Sequence, residues 1–493
     1  MPEMNSPDHT SLDQFPMEDA PEHLASECLS KLHSSQDYPR QEIERLARLA
    51  ASDDERAAQQ ASTAIFTSLV EPLADSFEPT GVSFYNRIFA QLIQSSRTSE
   101  KARELNQRLS DFGLHSEQNL YVRAEQLRRM PKDSQLPDPR RLKRVIVLSR
   151  VTLGADVAIS SVMMRRGKER FPDADIVLVG GPKTTELFGG DPRLSFANIE
   201  YRRTGTLADR LLSWLDLLEV VRSHTEGLER DESLIIDPDS RLTQLGMLPV
   251  GSPAEKGRDG FLYFPSREYG AATSRSLGDL TSDFLNEVFD HDQVTLPYLA
   301  LKPQDVDISE RLARRLKRAN ERPIVTLNFG IGGNQAKGVG GWFEAALVST
   351  LINDGARVIL DRGAGAEEAG RANATVRYAR ECGARVVEFD EGSLAALLSS
   401  DALLEADLLV WNGRVGLLAG LIANSRLYIG YDSAGQHIAA ALGVPCIDVM
   451  AGFSSLRMID RWRPTGPAET RVVVVSASVL EESIGHAREM LRA

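Results

Sequence analysis

Three cysteines in 493 residues, Cys28, Cys382 and Cys446, lie too far apart to form a metal-ligand spacing. So few thiols argue against a disulfide framework and fit a reducing compartment. Uninterrupted apolar stretches of about 18 residues are missing, so no membrane-spanning helix is expected. The first residues, Met1-Pro-Glu-Met-Asn-Ser-Pro-Asp, carry no basic-then-apolar run, and no signal peptide is expected. Positive charge is in deficit, because 57 Lys and Arg against 70 Asp and Glu leave a formal charge of −13. General nucleic-acid binding needs a net basic surface, so nucleic acid is not an expected partner. The expected location is cytoplasmic.

What is present is enough chain for about three domains, two α/β cores and an extension. Residues 1–38 are rich in Asp, Glu, Ser and Pro and are expected to be a disordered tail. Residues 39–140 turn helical: Ile65, Phe66, Leu69, Val70 and Leu73 form one apolar stripe, and Phe84, Ile88, Phe89, Leu92 and Ile93 another. The prolines of Pro131–Pro139 read as a linker that ends this extension. From Arg144 short apolar runs at 145–148, 176–179, 234–236 and 261–264 alternate with helical stretches, so residues 141–320 are expected to be a Rossmann-like domain. The rhythm restarts after Arg322-Pro323, with runs at 324–329, 358–360, 386–387, 408–411, 427–431, 445–450 and 472–475. Residues 321–493 are expected to be a second such domain. The expected fold class is α/β, two parallel-sheet domains plus an N-terminal all-helical extension.

Three strand-to-helix turns carry the candidate chemistry. In Leu427-Tyr-Ile-Gly-Tyr-Asp432-Ser-Ala-Gly-Gln-His437 an apolar run ends at an acid and a serine, and an alanine-rich helix follows to Gly443 and Pro445. Asp432 or Ser433 caps that helix, and its positive dipole end suits a phosphate. His437 lies within about a turn and a half of the cap, so its ring can reach the same crevice. The loop Gly330 to Trp342 is glycine-rich and lets the backbone approach a ligand, with Lys337 as a point charge suited to a phosphate. It is not a P-loop, because no Gly-Lys-Ser/Thr occurs; the alternative is a flexible connector with one solvated lysine. In the first domain, Arg150-Val-Thr-Leu-Gly154-Ala-Asp156 holds the matching position. Asp156 is either a general base in the cleft or a cap of the following helix.

These segments resemble a known family. Ile429 to Pro445 is similar to the Gly-x-Asp-Ser/Thr-Gly-x-x-His-x-Ala-Ala-Ala-x-Gly-x-Pro signature of the lipopolysaccharide heptosyltransferase-like glycosyltransferases, family nine. Arg150 to Val157 and Gly330 to Trp342 resemble that family's Gly-Asp-Val and Gly-x-x-x-x-Lys-x-Trp loops. The resemblance implies a GT-B fold, two facing Rossmann-like domains with the acceptor on the first and the nucleotide sugar on the second. It implies inverting, metal-independent transfer of heptose from ADP-heptose to a lipopolysaccharide-core-like glycan or glycolipid acceptor, with no cofactor beyond the nucleotide sugar as co-substrate. Asp156 would be the base; Lys337, Ser433 and Gly435 would hold the diphosphate; Asp432 and His437 would contact the sugar or ribose. Glu367 resembles the acid that touches the ribose, with Asp361 as its competitor. Two departures stand out: Ala155 places the acid one residue later than usual, and Ala434 adds a methyl group to the Asp-Ser-Gly run.

Other readings stay open. Asp237-Pro-Asp239 follows an apolar run as a metal-binding Asp-x-Asp does, or is a turn. The basic helix Ile308 to Asn320, with Arg165, Arg166, Lys168 and Arg170, draws an anionic lipid into peripheral contact at the inner face of the cytoplasmic membrane, or is a solvated face. An epimerase of the same fold, or a nucleotide-sugar-binding scaffold that has lost transfer, are the alternative functions. A thermal-shift panel separates the donors: a ligand at 100 times its Kd stabilises by about 2.7 kcal/mol. ADP and ADP-sugars are expected to shift the midpoint more than UDP or GDP, and no shift with any of them contradicts the nucleotide reading.

Overall fold

The computed structural model describes residues 20–34, 38–129, 136–251, 260–319 and 321–492. Short apolar runs separated by helices favour a parallel sheet, in which each strand is buried on both faces. Five of them, β1 (Arg144–Leu148), β2 (Asp175–Gly180), β3 (Leu194–Asn198), β4 (Ser233–Asp237) and β5 (Phe261–Tyr263), pair in the order β3-β2-β1-β4-β5. Seven more are β6 (Ile324–Asn328), β7 (Arg357–Asp361), β8 (Val386–Phe389), β9 (Leu408–Trp411), β10 (Leu427–Tyr431), β11 (Cys446–Met450) and β12 (Thr470–Val474). They pair in the order β12-β11-β10-β6-β7-β9-β8. All pairings in both sheets are parallel. The protein therefore has the expected pair of facing Rossmann-like domains. In each sheet the chain builds outward on one side and then crosses to the other, which puts a topological switch point between β1 and β4 and between β6 and β10.

The expected disordered tail is corrected over part of its length, because Pro21–Ser34 is a helix whose Leu24, Ala25, Cys28 and Leu32 are buried. Leu24, Cys28 and Leu32 recur every four residues, a weak stripe among charged neighbours. Residues 1–19 and 35–37 of that tail, and 130–135 of the linker stretch, lie outside the described residues. The helical region is also more than an appendage. Ile146, Leu148, Val177, Val179 and Ile235, from one face of the first sheet, share one apolar core with Ile65, Phe66, Tyr85 and Phe89 of the helices. The opposite face, Val145, Val147, Ile176, Leu178 and Leu234, belongs to a core that runs on into the second domain.

Two segments cross the expected boundaries. Helix Pro303–Ala319, expected in the first domain, packs on the second: Gly420 lies against Ser309 and the Asp305 carbonyl, Arg414 pairs with Asp305 at 2.9 Å, and Arg357 donates to Leu316 O at 2.9 Å. Its flanking sequence did not show which sheet it covers. Helix Leu456–Trp462, in the second domain's sequence, reaches back to the first. There Arg461 donates to the carbonyls of Gly270, Thr273 and Arg275 at 2.7, 3.0 and 2.6 Å. Just before it, Ser454 and Ser455 donate to the carbonyls of Asp75 and Ser76. No described helix is long and apolar enough to cross a membrane.

A shared core makes the helical region inseparable from the first sheet. If a protease site is placed within residues 130–135 and cut, the two fragments are expected to co-elute on gel filtration without denaturant; separate elution would show that the helices are an independent domain.

Candidate functional site

At the second switch point the loop after β6 passes over the carboxyl end of β10. Gly332 and Gly333 have φ of +59° and +85°, and a side chain at either would meet nothing within 4 Å, so this part faces open space. Its root is anchored: Glu368 accepts from Ile331 N at 2.8 Å and Gly332 N at 3.1 Å. The turn Gln335–Lys337 then delivers Lys337 across to Asp432, with Nζ 2.6 Å from Oδ2. β10 ends there, and helix Ala434–Ala441 starts with Ser433 as its cap, its N–H donating to Gln436 Oε1 at 2.8 Å. Of the two capping candidates, Ser433 stands at the cap position with its hydroxyl lacking a partner among the described residues, and Asp432 pairs with Lys337. Gly435 has a packing reason: a Cβ there would sit 1.9 Å from the Tyr428 hydroxyl.

The charges around this turn are nearly dry. Asp432 is 6% exposed, and its second oxygen accepts from Gln436 Nε2 at 3.2 Å. Burial works against the Lys337 ammonium, but the Asp432 carboxylate outweighs it and holds the lysine above its usual pKa. Asp448, on β11, is fully buried, and neither carboxylate oxygen has a hydrogen-bond partner. Burial raises it well above the ordinary carboxyl range, with the Asp432 charge adding and Lys337 opposing. His437 is pushed down to about 4, by burial first, so the ring is neutral near pH 7.

The first domain closes on this turn. A Cβ at Gly154 would lie 3.1 Å from His437 Cδ2 and 3.3 Å from Ala434 Cα, so the loop after β1 rests closely on the helix start and a side chain there would crowd it. Two residues on, Asp156 is 2% exposed and accepts from Ser149 Oγ at 2.7 Å, Ser160 Oγ at 2.9 Å and Arg150 N at 3.1 Å. Burial raises its carboxyl to about 6, against these three hydrogen bonds, which lower it. Trp462, from the returning helix, stands edge-on to His437 with ring centroids 5.8 Å apart.

Lys337, Asp432, Ser433, Gly435 and His437 thus come together, with Asp156 just behind the Gly154 contact. Glu367 does not join them: its side chain is 57% exposed and bonded to Gln335 Nε2, while neighbouring Glu368 holds the loop. Asp361, half-buried, accepts from Asn328 Nδ2 and is pushed up to about 7, chiefly by loss of hydration. Asp237 accepts from Ser240 N and Thr243 Oγ1, and Asp239 pairs with Arg267 at 2.7 Å, so both acids serve their own turn. Among the described residues no group of three or more His, Cys, Asp or Glu is arranged to hold a metal. The basic stretch is engaged as well: Arg165 donates to Leu296 O, Arg166 to Gln293 Oε1, and Lys168 pairs with Asp191. Asp448 and Trp462 went unnoticed in the sequence; an acid inside the apolar run of β11 was the available signal for the first.

The chain matches no protein-family model, and no curated protein matches it. Among solved structures it is similar to a glycosyl transferase family 9 protein from Veillonella parvula DSM 2008, at 14% identity and a TM-score of 0.49, covering 71% of this chain and 97% of that one. It is similar to E. coli ADP-heptose lps heptosyltransferase II at 16% identity and TM-score 0.45, covering 71% and 98%. E. coli heptosyltransferase WaaC with ADP follows at 14% identity and TM-score 0.47, covering 71% and 99%.

The buried Asp448 carboxyl gives a pH test with a definite sign. Its raised pKa contributes stability below the unfolded value near 3.9 that is lost as pH rises toward the folded pKa, by at most about 1.4 kcal/mol per unit. Between pH 4.5 and 8 the melting temperature of Asp448→Asn is therefore expected to climb relative to wild type. A difference that stays constant across that range contradicts the assignment.

Proposed function

We propose that the protein is a glycosyltransferase that moves a sugar from a nucleotide-sugar donor to a hydroxyl of a glycan or glycolipid acceptor, with inversion. An ADP-linked heptose is the first donor to test. One observation carries the reading: the Lys337–Asp432 pair spans the switch point between β6 and β10, where open parallel sheets bind ligands, and the first domain's β1 loop rests on the same turn. The donor diphosphate takes up Lys337 and the start of helix Ala434–Ala441, whose dipole favours an anion. As the bond to the sugar breaks, negative charge grows on the departing diphosphate, and a fixed ammonium and helix end stabilise it without rearranging. His437, neutral and edge-on to Trp462, contacts the sugar or ribose as a hydrogen-bonding group. Leaving-group charge is thus met by the chain's own residues, and transfer is expected to survive EDTA.

Asp156 takes the proton of the attacking hydroxyl. With its pKa raised to about 6 it is ionised at neutral pH yet basic enough to accept a proton. To act, it exchanges one internal donor for the acceptor; the Ser149 and Ser160 hydroxyls can rotate away, whereas the Arg150 N–H cannot.

A second reading, nucleotide-sugar binding without transfer, draws on the same fact that all three partners of Asp156 are internal. Radiolabelled sugar transfer and ADP binding, both measured on Asp156→Asn, separate the two. Loss of a general base lowers the rate by about 10²- to 10⁴-fold, with ADP affinity expected to stay within a few-fold of wild type. An active variant removes Asp156 from the mechanism, and a wild type that binds ADP-sugars but transfers to no acceptor favours the second reading.

A further inference from the structure

The first sheet has its own switch point, between β1 and β4, and guanidinium groups gather there. Arg150 follows β1, Arg241 follows β4, and Arg210 lies on helix Leu207–Thr225. The helical region closes over them: the Arg210 guanidinium stacks 4.1 Å from the Phe66 ring, and Arg241 has Glu71 at 3.6 Å. Arg150 and Arg210 are only 5% and 7% exposed, yet Arg150 Nη1 and Arg210 Nε are buried with no hydrogen-bond partner among the described residues. The half-buried Tyr201 hydroxyl, which acts electrostatically on both Arg210 and Arg241, lacks a partner too. Burial first, with Arg267 and Arg241 adding to it and Asp239 and Asp75 opposing, lowers Arg150 to about 9. Arg210 is lowered by burial as well, with Glu71 opposing and Arg241 adding, so the Arg241 charge reaches both.

A buried guanidinium nitrogen without a partner is costly, and a fold that keeps two such groups within reach of the Arg241 charge forgoes stability it could recover with apolar residues. The backbone here is strained as well. Of six described non-glycine residues with positive φ, five belong to the segments that meet here: Phe77, Val151, Asp239, Gln244 and Leu245. Val151, β-branched at +65°, is the most unfavourable of them. Strain of this kind persists where the surroundings over-determine it, commonly at ligand sites.

We propose that this is a binding site for a phosphate monoester, built jointly by the first sheet and the helical region. Two guanidinium groups, each with one buried nitrogen lacking a partner, suit a dianion, guanidinium forks match phosphate oxygens in geometry, and Tyr201 supplies a neutral donor. A carboxylate offers a single charge and fewer acceptor oxygens, so it satisfies fewer of these donors. The site uses neither Lys337 nor Asp156 and does not rest on the transferase reading. It gives the helical region a ligand-binding role.

The test uses the full chain, with inorganic phosphate, glycerol 3-phosphate and acetate as probes, followed by thermal melting and calorimetric titration. Phosphate and glycerol 3-phosphate are expected to stabilise Lys337→Met, in which the diphosphate site is weakened. In that background Arg150→Met and Arg210→Met are expected to weaken the remaining binding at least tenfold, and each arginine variant alone, without ligand, is expected to melt at or above the wild-type temperature. Phosphate binding that survives in both of these double variants overturns the site. So does acetate binding as tight as phosphate. Arginine variants that fail to fold, or melt well below wild type without ligand, make these residues structural and overturn it as well.

Discussion

The ammonium of Lys337 and the carboxylate of Asp432, 2.6 Å apart, hold two ligand loops of the second domain against one another. Exposed pairs of this type contribute about 0–1 kcal/mol. This one is mostly withdrawn from water, and removing one partner of a fully buried pair costs about 3–5 kcal/mol because the other charge is left alone. Here the cost is smaller, since the Lys337 side chain keeps 22% of its exposure. Behind the pair, Asp448 is raised first by burial, with the Asp432 charge adding and Lys337 opposing. The pair therefore ties the glycine loop to the end of β10, where the helix starts.

Around that pair the molecule is assembled by crossings. The returning helix Leu456–Trp462 links the second domain to the 270–275 loop, Trp462 meets both His437 and Arg150, and the residues before it reach the helical region. The β1 loop, knitted by Asp156, lies between the two switch points: Gly154 touches the second domain's helix while Arg150 points into the first domain's arginine cluster. The two places are thus joined by the five residues Arg150 to Gly154.

Continuous apolar runs made most of this legible in sequence, since a strand buried on both faces needs no pattern beyond a short unbroken run. The edge strand β3 was missed because Ser195 and Asn198 break its run, and only Leu194 and Ala197 of it are buried. The three turns were legible because glycine, acid and helix-capping residues carry local signals. Glu367 and Glu368 were not separable, because neighbours on a helix point about 100° apart and the direction depends on where the helix begins. What Asp156 bonds to, and that Arg150, Arg210 and Arg241 gather, follow from contacts between residues far apart in the chain, which no local pattern encodes.

We propose Lys337 and the turn it reaches as the diphosphate site. Calorimetric titration of wild type and Lys337→Met with the nucleoside diphosphate that binds best tests it most directly. The variant is expected to bind at least tenfold more weakly while its melting temperature stays within a few degrees of wild type; equal affinity in the two proteins would remove Lys337 from the site.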